Sequence, residues 1–169
     1  MTTIEIIGRA KEKARLEKIL QSNQAEFLAL YGRRRVGKTF LIRQYLKKEL
    51  VFDFSGSKEA SKKQQLNNFF AEYLARTQGK QETLVPTSWQ MAFRYLADYL
   101  SGLSGNATKQ VVFLDEMPWL DTPKSDFISA LEFFLESTRI KNGSRFIDSV
   151  WFGIVLDSER PYPCKRRTL

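Results

Sequence analysis

The run Gly32 to Thr39, GRRRVGKT, constrains this chain more than any other stretch of it. It fits the pattern GxxxxGK[ST] and lies where the mechanics of that pattern require, between the apolar run Glu26 to Tyr31, EFLALY, and a segment of helical period from Thr39 to Lys48. Glycines at both ends let the backbone wrap an anion, so that successive N–H groups and the positive end of the following helix point at one phosphate. Average residue usage yields such a pattern by chance in roughly one chain in a couple of hundred, and the strand and helix flanks make accident a poor explanation. A phosphate ligand also accounts for a crowding of charge. Arg33, Arg34, Arg35 and Lys38 lie within six residues of one another in a chain whose formal charge is already +8.

Lys38 is placed to reach the β- and γ-phosphates of a nucleoside triphosphate, and the Thr39 hydroxyl to bind magnesium. The predicted cofactor-binding set in the loop is Gly32, Arg33, Arg34, Arg35, Val36, Gly37, Lys38, Thr39 and Phe40. The three arginines occupy the variable positions, where side chains point outward. Two readings stay open for them: a solvated loop apex, or a role on the γ-phosphate or on a neighbouring subunit or domain.

A phosphate loop needs an acid at the end of a neighbouring buried strand, because the metal is held from the side opposite the loop. Gln110 to Leu114, QVVFL, runs straight into Asp115 and Glu116, about 75 residues after the loop. Asp115 is expected to hold magnesium through water, and Glu116 to orient and deprotonate an attacking water. An apolar run ending in two acids is weak evidence alone; beside a well-formed phosphate loop it is strong.

Around these motifs, apolar runs alternate with helical periodicity, the pattern of an α/β sheet with crossover helices. Helices are predicted over residues 9–20, 39–48, 58–76, 89–103 and 126–137, with Ser88 as an N-cap, and strands over 26–31, 50–54 and 110–114. The aromatic stripes, such as Phe69, Phe70 and Tyr73 or Trp89, Phe93 and Leu96, read as core. At 169 residues the chain has the size of one domain, with the apolar content of a globular protein and no run approaching the roughly 20 apolar residues of a spanning helix. The absence of histidine removes serine and cysteine triads of the usual kind and HExxH zinc sites. A lone cysteine, Cys164, and an N-terminus without a secretion pattern lead to the expectation of a cytoplasmic protein.

The combination of IIGR near the N-terminus with FLALYGRRRVGKT, FDFSGSKEAS and VVFLDEMPWLDTPKSDF resembles the prokaryotic archaeal ATPase family, relatives of the STAND class within the AAA-like branch of P-loop ATPases. The resemblance covers about residues 4–137. It implies a three-layer P-loop NTPase fold of the ASCE type with a parallel central sheet, binding ATP and magnesium, with Lys38 and Thr39 as Walker A and Asp115 and Glu116 as Walker B. It also implies that Gly8 and Arg9 lie near adenine and ribose. Residues 1–137 are expected to form the ATPase core and 138–169 an atypical segment. Family members continue past this point with a further strand ending in a polar sensor residue, then a lid and a C-terminal winged-helix region. That strand inserts between the phosphate-loop strand and the Walker B strand. The one candidate for it is residues 150–156, VWFGIVL, with Asp157 or Ser158 in the sensor position, followed by a basic tail. The sheet is therefore expected to be incomplete at its C-terminal end, in a truncated or frame-shifted copy or a short variant of the family.

The leading reading is an ATP-binding domain that hydrolyses the β–γ bond of MgATP as a conformational switch. Binding is expected ahead of turnover, since no lid or second-domain arginine is evident to complete the site. A protein partner or self-association through a missing C-terminal domain would read the switch. A second reading, not favoured, is a nucleic-acid-binding module with a vestigial nucleotide site, which the basic charge permits but no recognised fold signature supports. A third is a remnant displaying Trp89, Trp119 or Trp151 to a missing partner domain. Adenine is the default base, as no NKxD-type guanine motif occurs. No membrane association is expected.

Overall fold

The computed structural model of the chain describes residues 6–22, 26–33, 35–79, 84–103, 109–139 and 150–157, with the backbone alone for 32, 138, 139 and 150–157. Among the described residues nine regular elements follow in chain order: α1 (Ala10–Leu20), β1 (Glu26–Gly32), α2 (Lys38–Tyr45), β2 (Leu50–Ser55), α3 (Lys62–Thr77), α4 (Trp89–Gly102), β3 (Gln110–Asp115), α5 (Phe127–Arg139) and β4 (Val150–Asp157), with a 3-10 turn at Met117–Trp119. The strands form one parallel sheet in the order β1-β4-β3-β2.

Strand β3 shows why the sheet is covered on both faces. Val111, Val112, Phe113 and Leu114 are all 0% exposed, and because side chains alternate along a strand they feed two different cores. Val111 and Phe113 pack with Leu16 of α1 and Leu41 and Ile42 of α2. Val112 and Leu114 pack with residues of α3, α4 and α5 on the opposite side. The described residues thus form three layers, with two helices on one face of the sheet and three on the other. The three-helix face is unusually aromatic: Trp89 meets Phe127 edge-to-face at 4.9 Å, and Phe93 stacks on Phe134 at 5.2 Å. Trp89 is 1% exposed, so it is a core residue. The reading that displays it to a partner is wrong for that residue, since α4 turns its apolar stripe inward.

One helix boundary differs from expectation in a way that matters for function. Helix α3 begins at Lys62 and not at Lys58, because Ser61 caps it: its hydroxyl accepts from the Gln64 N–H while the Gln64 side chain accepts from the Ser61 N–H. This reciprocal pair satisfies two donors that would otherwise be unpaired at the helix start. Residues 56–61 are consequently loop, and Lys58 stands on it.

Strand β4 takes the central place between the phosphate-loop strand and the acid-bearing strand. Its register sets Asp157 beside Gly32 and Ile154 beside Leu114. Ser158 and the basic tail of the sequence lie outside the described residues. With β4 in place β1 and β3 are second neighbours, roughly 10 Å apart at the usual strand spacing. All four strands end at the same edge of the sheet, where ligands of open parallel sheets bind.

Candidate functional site

Strand β1 delivers the chain to this edge and the loop then turns back into α2. Gly37 closes the turn with φ +76°, in the left-handed region that glycine enters without cost, and α2 begins at the next residue. Arg35 also has positive φ, at 61°, a conformation that a residue with a side chain adopts only under local constraint. Lys38 is the first residue of the helix, and its ammonium donates to the carbonyl of Arg33 at 2.7 Å. It therefore folds over the mouth of the loop, within reach of any anion held there.

Asp115, at the end of β3, is 5% exposed. One of its carboxylate oxygens accepts from the Thr39 hydroxyl at 2.8 Å, across 76 residues of sequence, and the other accepts from the Glu116 N–H at 3.0 Å. A hydroxyl and a carboxylate in contact are the hard oxygen donors magnesium uses, in a site normally completed by phosphate oxygens and water. Among the described residues no group of three or more Cys, Asp or Glu side chains is able to hold a metal alone, so a cation here would depend on a phosphate ligand. On donor chemistry the residues fit magnesium bound with a nucleotide. Glu116 follows in the left-handed conformation, φ 51° and ψ 40°, which turns the chain sharply into the 3-10 turn.

A cavity of about 840 Å³ joins these groups, within the range of roughly 300–1,000 Å³ usual for ligand sites. Its lining includes Arg35, Val36, Gly37, Lys38, Thr39 and Phe40 of the phosphate loop and α2, and Gly56, Lys58, Asp115, Glu116 and Trp119 of the segments that follow β2 and β3. Of the predicted loop residues, Arg33 is exposed and contributes its carbonyl to Lys38, Gly32 ends β1, and Arg34 lies outside the described residues. Gly8 and Arg9 do not line the cavity. The Arg9 guanidinium donates to the carbonyl of Val36, which ties it to the phosphate loop, and Gly8 is exposed with φ +74°.

Two features that sequence reasoning missed, Gly56 and Gln65, hold the acid side in place, and a third, Arg43, lies at the margin of the cavity. Gly56 donates its N–H to the Asp115 carbonyl at 3.0 Å, and a Cβ there would lie 2.7 Å from the Glu116 carbonyl oxygen and 2.9 Å from Leu120 Cγ. Gln65, 1% exposed, clamps the same loop: its carbonyl accepts from the Ser57 N–H, and its amide donates to the carbonyls of Ser57 and Trp119. The signal for Gln65 was present, since a polar residue on the inward face of an apolar helix needs buried partners. Arg43, also lining the cavity, makes a two-pronged pair with Asp53 at 2.7 and 3.0 Å. The hydrogen bond to Asp53 raises its pKa above the ordinary value against the opposing effect of burial.

A family model described as "ATPase domain predominantly from Archaea" matches residues 7–147, and the chain belongs to this family. Over 48 residues it is 40% identical to "Uncharacterized ATP-binding protein MJ0423" of Methanocaldococcus jannaschii, a match spanning 28% of this chain and 81% of that protein. Its fold is similar to that of the Aeropyrum pernix ORC2 protein, solved as ADPNP-ADP complexes, with a TM-score of 0.63 at 17% identity. That match covers 93% of this chain and 43% of the solved one, so the chain spans less than half of the ORC2 structure, and the likeness shows the fold. The chain is an ATP-binding, P-loop ATPase-like domain with a parallel α/β sheet. Among the described residues no helix is long and apolar enough to cross a membrane.

Proposed function

We propose that this domain binds MgATP between the phosphate loop and the Asp115–Glu116 turn, hydrolyses its β–γ bond slowly, and uses the nucleotide state as a conformational signal to a partner. The observation that carries the reading is the 2.8 Å bond from Thr39 to Asp115, which joins the two halves of the site. Thr39 Oγ1 and the Asp115 carboxylate are the residues that would hold magnesium, and the ion when bound neutralises charge on the β- and γ-phosphates. Backbone N–H groups at the start of α2 face the phosphates, and Lys38 exchanges the Arg33 carbonyl for their oxygens. Glu116, lining the same cavity, orients a water for in-line attack and takes its proton. The bond between the β–γ bridging oxygen and the γ-phosphorus breaks, the water oxygen bonds to that phosphorus, and ADP and phosphate leave. The printed descriptions of the two relatives, one ATP-binding and one holding ADPNP and ADP, support the adenine nucleotide.

Because Asp157 ends β4 beside Gly32, the backbone next to the phosphate loop is continuous with the strand that precedes the C-terminal segment. This is the route by which the γ-phosphate would be felt outside the core, by a protein partner or a second copy of the chain. The test is phosphate release and ATP affinity measured on the wild type and on Glu116→Gln. Hydrolysis should fall by roughly 100-fold or more while affinity stays within about threefold, since the amide keeps the side chain's shape. Loss of ATP binding in the variant would make Glu116 a structural residue and contradict the assignment.

A further inference from the structure

Two described cations outside the phosphate-loop motif line the cavity: Arg43, which is paired with Asp53, and Lys58. We infer that Lys58 contacts the terminal phosphate of the bound nucleotide, acting from the same chain as the discriminator between triphosphate and diphosphate. The inference rests on the nucleotide reading above and extends it to a residue outside both Walker motifs. Lys58 stands on the loop between β2 and α3 and lines the same cavity as Lys38, Thr39, Asp115 and Glu116.

What distinguishes Lys58 from an ordinary surface lysine is how its backbone is held. The residues just before it are fastened to the acid side of the site. Gly56 bonds to Asp115, and Ser57 is gripped through both its N–H and its carbonyl by the buried Gln65, which also holds the Trp119 carbonyl. A flexible side chain thus projects from a backbone fixed beside Glu116, where the γ-phosphate must sit for Glu116 to reach its attacking water.

The present contacts of the ammonium are of a kind that a phosphate displaces. It lies 5.9 Å above the Trp119 ring and 3.3 Å from Glu59, with the two side chains 67% and 78% exposed. An ion pair so exposed is worth little. A bond to a phosphate oxygen is charge-assisted and stronger. The lysine then places positive charge on the oxygens of the transferring group, the position a trans-acting arginine fills in other phosphoryl-transfer sites.

The experiment compares ATP and ADP affinities, with magnesium, for the wild-type chain, Lys58→Met, Lys58→Arg and Lys38→Ala. Lys58→Met is expected to weaken ATP by roughly 10- to 100-fold, the cost of one charge-assisted bond, with ADP unchanged within about twofold. Lys58→Arg should recover most of the ATP affinity. Lys38→Ala should weaken both nucleotides. The melting temperature without nucleotide should be the same for wild type and both Lys58 variants, because the side chain is two-thirds exposed. Equal weakening of ATP and ADP in Lys58→Met, or no change in either, overturns the assignment while leaving the nucleotide site standing. A wild type that binds neither nucleotide overturns the assignment together with the reading on which it rests.

Discussion

The two walls of the candidate-site cavity are built on opposite principles. The phosphate-loop wall is made of backbone: its side chains from Arg35 to Phe40 are exposed or half-buried, its turn depends on Gly37, and Arg9 and Lys38 fasten it through carbonyl oxygens. The acid wall is made of packing. Asp115 is buried, Met117 and Leu120 enter the core beneath it, and Gln65 and Gly56 lock the neighbouring loop to it. The difference suits what the proposed function asks of each wall. A loop that grips phosphate through its N–H groups must present them bare, whereas carboxylates that must not swing onto the nearby cations need a rigid mount.

This contrast predicts that damage to the two walls separates. The largest effect on stability should come from Gln65→Leu. It leaves the Ser57 N–H and the Ser57 and Trp119 carbonyls without their buried partner, and about 3 kcal/mol of unfolding free energy should be lost in urea denaturation. If the acid wall is the rigid mount described, hydrolysis should fall with it while ADP affinity changes little. Retained stability would mean that water replaces the glutamine and that the latch is weak.

Gly56→Ala is a smaller and more local disturbance. The added methyl meets a backbone oxygen at 2.7 Å, which cannot rotate away as a side chain does, so either the 56–58 loop or the Glu116 peptide must shift. About 2 kcal/mol of destabilisation is expected, again with turnover falling more than nucleotide affinity. Equal losses in the two would show that Gly56 supports the whole cavity and not the acid wall alone.

The smallest effect is expected at Arg43→Met. The arginine's side chain is 41% exposed, so solvent screens its pair with Asp53 and removing it should cost about 0.5–1 kcal/mol, less at high salt. A larger loss would move Arg43 from the margin of the site to its support.

How much of this was legible in the sequence divides along the same line. The phosphate loop works through a contiguous run of residue types, so GRRRVGKT announced it, and the buried strand ending at Asp115 and Glu116 was readable from composition and position. The capping signature at Ser61 and Gln64 was also on the page, yet a continuous helical period drew the predicted start of α3 back to Lys58. Gly56, Gln65 and Lys58 were not recognised because their importance arises only when β2 and β3 lie side by side, with Ser55 in register with Asp115. A glycine in an SGS turn and a lysine after it carry no distinguishing pattern. Arg9 adds a contact that its motif did not announce, since its guanidinium donates to the Val36 carbonyl of the phosphate loop.

The most direct test of the central claim is the thermal denaturation of the 169-residue chain with and without MgATP, beside Lys38→Ala under the same conditions. A ligand that binds only the folded state raises its stability, by about 2.7 kcal/mol at a hundredfold excess over Kd, or roughly 5–10 °C for a domain of this size. The structure predicts one cooperative transition that MgATP raises by that amount in the wild type, and a Lys38→Ala variant with the same melting temperature and no response. An equal rise in both proteins, or none in the wild type, would contradict a nucleotide site built on the phosphate loop.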